Sequence, residues 1–228
     1  MLIPLNFVYL VATLPMIVIW VIIFFLRKDL RREILVMSIF MTFVSVITSY
    51  YWWTVDWWQP PTIWGTKVGI EDALTGFAAG GLMTALYEVV FKKNLYKRRH
   101  DFHKGRGLIL FILLNLLMIL LFYGLGLTSF VASSISIVSM SVLMLYRRKD
   151  LIIDAVGSGV LMALASLPSY YIILLVHPDW INTTYSMLSG YRITGIPVEE
   201  IIFWFLAGFL FGPFYEYWQG VRLRRSAH

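Results

Sequence analysis

Seven apolar segments, each long enough to cross a bilayer, alternate along the chain with short charged or turn-forming stretches. About 20 apolar residues in a helix span the hydrocarbon core of a membrane. The predicted spans are Leu5–Leu26, Ile34–Tyr51, Val68–Phe91, two within Leu108–Tyr146, then Leu151–Val176 and Val198–Tyr217. The uncharged run Leu108–Tyr146 is too long for one helix, and Gly124-Leu125-Gly126 is the predicted turn inside it. We therefore predict an all-α integral membrane protein with seven transmembrane helices.

The chain contains an internal repeat. Matching residues of the third and seventh spans lie 128 positions apart: Glu71 and Glu199, Asp72 and Glu200, Ala79-Gly80 and Ala207-Gly208, Tyr87-Glu88 and Tyr215-Glu216. Arg27-Lys28-Asp29-Leu30 recurs as Arg148-Lys149-Asp150-Leu151, Ser49-Tyr50-Tyr51 as Ser169-Tyr170-Tyr171, and Asp56-Trp57 as Asp179-Trp180. Spans one to three therefore correspond to spans five to seven. We predict two parallel three-helix repeats, residues 1–106 and 127–228, joined by a connector helix at 107–126, a 3+1+3 arrangement.

The positive charges are distributed unevenly between the two sides of this topology. Of 19 Lys and Arg residues, 17 fall in segments on one side, and Lys67 and Arg192 fall on the other. The positive-inside rule then places the N-terminus outside and the C-terminus in the cytoplasm of a multi-pass cell-membrane protein. The net charge of +6 thus indicates orientation, and we expect no nucleic-acid partner.

The chain has 59% hydrophobic and 14% charged residues, which is outside the range of soluble domains. It contains no cysteine, which excludes disulfides, thiolate metal sites and cysteine nucleophiles. Few histidines are present, and none has metal-ligand spacing inside a span. We therefore expect neither a cofactor nor a metal in the reaction. Glu88 has Lys92 four residues later, a spacing that predicts an ordinary surface ion pair.

Two adjacent acids begin the third span, Glu71-Asp72, and two begin the seventh, Glu199-Glu200. A plain explanation is that acids in the first turn complement the helix dipole, and that Pro197 starts the helix of the seventh span. Carboxylates at a membrane boundary are costly, however, and are by default functional candidates. Neighbouring acids repel each other and burial disfavours charge, so one of each pair is expected to hold a proton. A protonated carboxyl near neutral pH is what a general acid requires.

Aromatic residues are abundant, with 16 Phe, 13 Tyr and 9 Trp. The interfacial aromatic belt of membrane proteins accounts for much of one set, Trp52, Trp53, Trp57, Trp58 and Trp64. The functional alternative is that ring faces line a pocket and stabilise a carbocation by cation–π attraction. An acid beside aromatic walls in a membrane suits the protonation of an apolar polyene.

The stretch Gly195–Glu200 followed by Phe203 resembles the membrane-integral lycopene cyclase family. The family motif is Pro-x-Glu-Glu leading into an aromatic helix, preceded by Asp-Trp and a glycine-rich loop, here Asp179-Trp180 and Gly190–Gly195. The whole layout resembles the fused archaeal and fungal form of the heterodimeric bacterial type. The first half departs from the motif, because Val68–Asp72 lacks the proline and carries aspartate second.

The resemblance implies a lycopene cyclase of carotenoid biosynthesis, an isomerase or intramolecular lyase. It would cyclise the linear ψ-ends of lycopene or a related carotenoid to ionone-type rings by acid catalysis without redox change. The implied acid is Glu199 or Glu200, with Glu71 or Asp72 as partner acid or base. The expected cation-stabilising rings are Trp204, Phe203, Tyr191 and Trp64. The implied partners are a lipophilic carotenoid, the lipid bilayer and other carotenoid enzymes.

Two other functions fit parts of the pattern. A carotenoid hydratase needs the same acid, because water would capture the same cation. A small-solute transporter can have the same 3+1+3 repeats, but it should carry polar side chains at mid-membrane. The mid-span positions here are mostly Leu, Phe, Ala and Gly, which favours the cyclase over the transporter.

Overall fold

The computed structural model describes residues 3–97 and 105–225, and it is a bundle of helices with two small β-ribbons. The helices are α1 (Val8–Leu26), α2 (Arg31–Thr48), α3 (Ile70–Val90), α4 (Gly105–Ile119), α5 (Ser129–Arg147), α6 (Ile152–Val176), α7 (Trp180–Thr184), α8 (Val198–Phe211) and α9 (Phe214–Gln219). Short 3₁₀ turns precede α1 at Leu5–Phe7 and α6 at Lys149–Leu151. π-Helical turns continue α2 at Ser49–Trp53, before a last turn at Thr54–Asp56, and α4 at Leu120–Gly124. The strands are β1 (Lys93–Lys97), β2 (Arg192–Ile193), β3 (Ile196–Pro197) and β4 (Val221–Arg225).

Among the described residues, seven helical segments are long and apolar enough to cross a membrane, which confirms the predicted number of spans. The turn predicted within the long uncharged run is also confirmed, since Gly126 has a φ of +67° and α5 begins at Ser129. The seventh span, Val198–Gln219, is two helices and not one. Pro213 lacks a backbone N–H and clashes with a continuing helix, so α8 ends at Phe211 and α9 starts at Phe214.

The helix pairs α2–α3 and α6–α8 pack through equivalent glycines. A Cβ atom on Gly80 would lie 2.5 Å from the carbonyl oxygen of Met37 on α2. A Cβ atom on Gly208 would lie 2.6 Å from the carbonyl oxygen of Ser158 on α6. Both distances are shorter than a side chain tolerates, so only glycine permits this close approach of the helices.

Two arginines at equivalent positions make the same set of contacts. Arg27 forms an ion pair with Asp29 at 2.7 Å and donates to the backbone carbonyls of Glu88 at 2.9 Å and Lys93 at 2.7 Å. Arg148 pairs with Asp150 at 2.9 Å and donates to the carbonyls of Glu216 at 3.4 Å and Val221 at 2.8 Å. Each arginine therefore ties the segment between the first two spans of its repeat to the end of the acid-bearing span.

Part of the basic loop that the sequence predicts between the third and fourth spans, residues 92–106, is a strand. β1 pairs antiparallel with β4 in a register that joins Lys93 to Arg225 and Lys97 to Val221. Residues 98–104 of that loop, with several of its predicted positive charges, lie outside the described residues. The ribbon joins the end of the chain to the segment that follows α3.

At the end of the bundle where α2 stops and α3 begins, the loops of the two halves are hydrogen-bonded to each other. The backbone N–H of Gln59 donates to the carbonyl of Thr184 at 2.8 Å, and that of Ser186 donates to the carbonyl of Trp57 at 2.9 Å. This bridge places the aromatic residues after α2 beside those after α6.

Candidate active site

A cavity of ≈ 200 Å³ lies between the helices, and all seven spans contribute to its wall. Its aromatic wall residues are Tyr9, Trp52, Trp53, Trp57, Trp58, Phe111, Tyr170, Tyr185, Phe203, Trp204 and Phe211. Hydroxyl and amide groups come from Thr13, Ser45, Thr48, Ser49, Thr75, Asn115, Ser133, Ser136 and Ser169. Glu200 is the one carboxyl among the described lining residues. The cavity is thus an aromatic chamber with a single acid.

Glu200 belongs to a buried chain of hydrogen bonds. The Tyr170 hydroxyl, on α6, donates to Oε2 of Glu200. The indole Nε1 of Trp204 donates to the Tyr170 oxygen at 2.9 Å. Because that oxygen accepts from the indole, its own proton is directed at the carboxyl. Trp204 lies four residues after Glu200 and therefore on the same face of α8.

Tyr185, in the segment between α7 and β2, is a second hydroxyl within hydrogen-bonding reach of Glu200 and of Tyr170. Burial raises the pKa of the Tyr185 phenol well above its usual value, and the nearby charge of Glu200 raises it further. The phenol therefore keeps its proton at physiological pH, and it can act as a hydrogen-bond donor to the carboxyl.

Glu199 faces away from the cavity. Its Oε1 accepts a hydrogen bond from the backbone N–H of Ser189 at 2.6 Å, in the loop before β2. Successive residues on an α-helix are rotated by about 100° from each other, so adjacent acids cannot share one environment. The geometry assigns Glu199 to the loop and Glu200 to the cavity.

The acid pair at the start of α3 is divided in the same way. Glu71 accepts from the backbone N–H of Ile63 at 2.7 Å, in the loop before α3. Asp72 accepts from the hydroxyls of Ser49 at 2.8 Å and Tyr9 at 3.3 Å and from the N–H of Gly69 at 2.9 Å. Asp72 does not line the cavity itself, but Tyr9 and Ser49 do. The first acid of each pair thus contacts a loop, and the second contacts hydroxyls of the cavity wall.

The four rings expected to stabilise a cation occupy two kinds of position. Phe203 and Trp204 line the cavity. Trp64 and Tyr191 are 66% and 76% exposed and are not among the lining residues.

Rings that the sequence analysis attributed to the membrane interface form part of the cavity wall. That interpretation is wrong for Trp52 and Trp57, which are buried. Phe203 packs edge-on against Trp53 and Trp57, with ring centroids 5.2 Å and 5.5 Å away. The signals that could have identified the missed residues are the recurrence of Asp56-Trp57 as Asp179-Trp180 and of Ser49 with its two tyrosines as Ser169–Tyr171.

The ion pair predicted between Glu88 and Lys92 is not formed. Helix α3 ends at Val90, and Lys92 lies beyond it with a φ of +49°, so the two side chains are not stacked on one helix face. Glu88 is buried, and its carboxyl oxygens lie within 4.8 Å of carboxyl oxygens of Glu33 and Glu216. A second acidic cluster therefore lies inside the bundle, away from the cavity lining.

The family model for lycopene cyclase matches residues 5–90 and 128–218, more than three quarters of the chain. No curated protein and no solved structure matches the chain significantly. Each matched region contains one acid pair, one packing glycine and one Arg–Asp pair, as an internal repeat requires, and α4 lies between the two regions. The chain belongs to the lycopene cyclase family of carotenoid-cyclising enzymes.

Proposed function

We propose that this protein is an acid-catalysed lycopene cyclase that closes the linear ψ-ends of lycopene, or of a related carotenoid, into ionone-type rings without redox change. The observation that carries the proposal is the position of Glu200. It is the single carboxyl in the described wall of an aromatic cavity, and a buried tyrosine donates a hydrogen bond to it.

The reaction begins when the carboxyl of Glu200 gives its proton to the terminal double bond of the substrate. The tertiary cation that results is attacked by the internal double bond, which closes a six-membered ring and moves the positive charge into it. Loss of one ring proton then restores a double bond. One proton enters and one leaves, so the product has the same mass as the substrate.

The surroundings of Glu200 suit a proton donor. A charged carboxyl among apolar side chains is costly, and Glu200 has no ion pair with a described cation, so the neutral acid is the favoured resting form. When the proton leaves, the hydroxyls of Tyr170 and Tyr185 remain to donate hydrogen bonds to the carboxylate. These bonds strengthen as negative charge develops, and they lower the barrier for that reason.

Asp72 is the proposed acceptor for the departing ring proton. The Tyr9 hydroxyl lines the cavity and donates to Asp72, so it can take a proton from the substrate while passing its own to the carboxylate. Glu199 and Glu71 then hold the loops that cover the ends of α8 and α3 and take no part in proton transfer.

The cavity wall fits a cationic six-membered ring. The rings of Phe203, Trp204, Trp53 and Trp57 supply π-faces and edges around the space that the substrate end would occupy. Cation–π attraction in a desolvated site contributes about 2 kcal/mol or more. A cavity of ≈ 200 Å³ is somewhat larger than the roughly 150 Å³ apolar cavity that accepts benzene. It therefore suits one methylated end group of a carotenoid.

For the membrane arrangement, we propose parallel repeats at residues 1–106 and 127–228 with the connector at 107–126, the N-terminus outside and the C-terminus in the cytoplasm. Two pairs of equivalent residues support the repeats. Gly80 and Gly208 make equivalent helix contacts, and Arg27 and Arg148 make equivalent ion pairs. The placement of 17 of 19 positive charges supports the orientation. Reporter fusions after Val221 test it, and an external signal would reverse the proposal.

The decisive experiment is expression in cells that accumulate lycopene, with chromatography and mass measurement of the pigments. We expect ring-containing products of unchanged mass from the wild type and none from Glu200→Gln. The matched control is Glu199→Gln, whose amide oxygen can still accept from the Ser189 N–H and which should keep most of its activity. A product heavier by one water would identify a hydratase. Unchanged pigment, with uptake of a small solute, would identify a transporter.

A further inference from the structure

We propose that Glu33, Glu88 and Glu216 form a divalent-cation site, suited to calcium, that holds the two repeats together at the end of the bundle opposite to Glu200. One carboxyl oxygen from each of the three lies within 4.8 Å of the others. Glu33 lies in the first turn of α2, Glu88 in the last turn of α3, and Glu216 in α9. The site would therefore join both halves of the chain.

The three carboxyls are buried, and five of their six oxygens have no geometric hydrogen-bond partner among the described residues. Glu33 is 1% exposed, and Glu88 and Glu216 are 0% exposed. Both oxygens of Glu88, both of Glu216 and Oε2 of Glu33 lack a partner. Buried carboxylates without partners are strongly destabilising, and a bound cation would stabilise them.

A fourth acid at the equivalent position in the second repeat extends the cluster. Asp154 occupies in α6 the place that Glu33 occupies in α2, and it is 2% exposed. Its Oδ1 accepts from the Ser158 hydroxyl at 2.9 Å, while Oδ2 has no described partner. The charge of Asp154 acts on all three glutamates. The cluster thus holds as many as four negative charges in one buried place.

The neighbouring arginines form their described ion pairs with other acids. The Arg27 guanidinium pairs with the carboxylate of Asp29 and donates to the backbone carbonyl of Glu88, and from there its charge acts on Glu88 and Glu33. Arg148 likewise pairs with Asp150 and reaches the backbone carbonyl of Glu216. The Thr84 hydroxyl donates to Oε1 of Glu33 at 2.9 Å, and Glu88 and Glu216 lie within hydrogen-bonding reach of each other.

The donor set selects the kind of cation. Carboxylate oxygens are ligands for hard cations such as Ca²⁺, Mg²⁺ and Mn²⁺. The three oxygens lie within 4.8 Å of one another, close enough to bind one ion together. Mg²⁺ usually keeps several waters, whereas Ca²⁺ accepts several carboxylates in flexible geometry. A buried set of three carboxyls therefore favours calcium.

The competing arrangement is a set of carboxyls that share protons. In that case the cluster would need no metal, and neutral glutamine would replace glutamate without loss of stability. The two arrangements are separated by measuring bound metal and thermal stability, neither of which depends on cyclase activity.

The experiment uses the full-length protein in detergent, stripped with a chelator and then titrated with CaCl₂ or MgCl₂. We expect one Ca²⁺ per chain by elemental analysis and a Tm rise of roughly 5 °C or more at saturating calcium, with a smaller response to magnesium. Glu88→Gln and Glu216→Gln should lose the bound calcium and the calcium-dependent Tm rise. Glu199→Gln, the matched control outside the cluster, should keep both.

The wild-type titration tests the proposal even if a variant fails to fold. No bound calcium in the wild type and no change of its Tm with calcium would overturn the proposal. So would glutamine variants as stable as the wild type whose Tm is insensitive to calcium, a result that identifies shared protons. If the glutamine variants lose the calcium response and the wild type shows no cyclase activity, the cation site stands and the proposed reaction fails.

Discussion

The indole nitrogen of Trp204 donates a hydrogen bond to the hydroxyl oxygen of Tyr170 at 2.9 Å, and both side chains are buried in the cavity wall. This bond fixes the direction in which Tyr170 donates, because an oxygen that accepts from the indole turns its proton towards Glu200. Trp204 is therefore more than a ring in the wall. It positions the tyrosine that contacts the proposed acid.

Replacing Tyr170 by Phe should slow turnover by about 10²-fold, the lower end of the effect of removing one donor from an oxyanion site. The cause is the loss of a hydrogen bond to the carboxylate that forms when Glu200 gives up its proton. Rates of pigment conversion in isolated membranes measure this. Tyr171→Phe is the matched control, because Tyr171 points away from the cavity and its hydroxyl bonds to Thr194 at 2.9 Å. Equal activity in the two variants would remove Tyr170 from the site.

Asp72→Asn and Tyr9→Phe should each lower turnover, and the double variant should be no slower than the worse single one. The reason is that both residues act in one proton-transfer step, and residues that act as a unit are not additive. The asparagine can still accept from the Ser49 hydroxyl, so the fold is expected to persist. A double-mutant cycle on initial rates measures the coupling. Independent, additive losses, or none, would reduce the first acid pair to a part of the scaffold.

Gly80→Ala and Gly208→Ala should destabilise the protein by similar amounts, about 1–3 kcal/mol each, as overpacking does. Each new methyl group would meet a backbone carbonyl, at 2.5 Å and 2.6 Å respectively, and a carbonyl cannot rotate away as a side chain can. Thermal unfolding in detergent measures the change. Gly105→Ala, where a Cβ would meet no atom within 4 Å, is the control. A loss at one glycine alone would argue against equivalent packing of the repeats.

The ion pair between Arg27 and Asp29 should contribute to stability above about pH 4 and cease to do so in stronger acid. The hydrogen-bonded Arg27 guanidinium lowers the pKa of the Asp29 carboxyl in the folded protein. The unfolded chain has the ordinary value of about 3.9, so the stabilisation is present above that pH and is lost as the pH falls through the folded pKa. The difference in Tm between wild type and Asp29→Asn should be constant from pH 5 to 7 and should shrink below about pH 4. A difference that grows in acid would contradict the assignment.

The spans and the acid pairs were predictable from the sequence because run length and residue identity alone determine them. Which acid of each pair contacts a loop, and which contacts the cavity wall, was not predictable. It depends on which way adjacent side chains of one helix point, and on the backbone N–H groups that the preceding loops present at Ser189 and Ile63. The inner acidic cluster was missed for a similar reason. Glu33, Glu88 and Glu216 are far apart in the chain, and the spacing of Glu88 from Lys92 indicated an ion pair on a helix that in fact ends at Val90.

The size of the cavity has a consequence for the kinetics of the proposed enzyme. A carotenoid such as lycopene has two reactive ends, and a chamber of ≈ 200 Å³ with one acid processes one of them per visit. The half-finished molecule must withdraw, turn around in the bilayer and enter again. Catalysis would then be distributive, and a pulse of substrate would pass through a monocyclic transient before the bicyclic compound appears. The ratio of the two products would follow the balance between enzyme and carotenoid in the membrane.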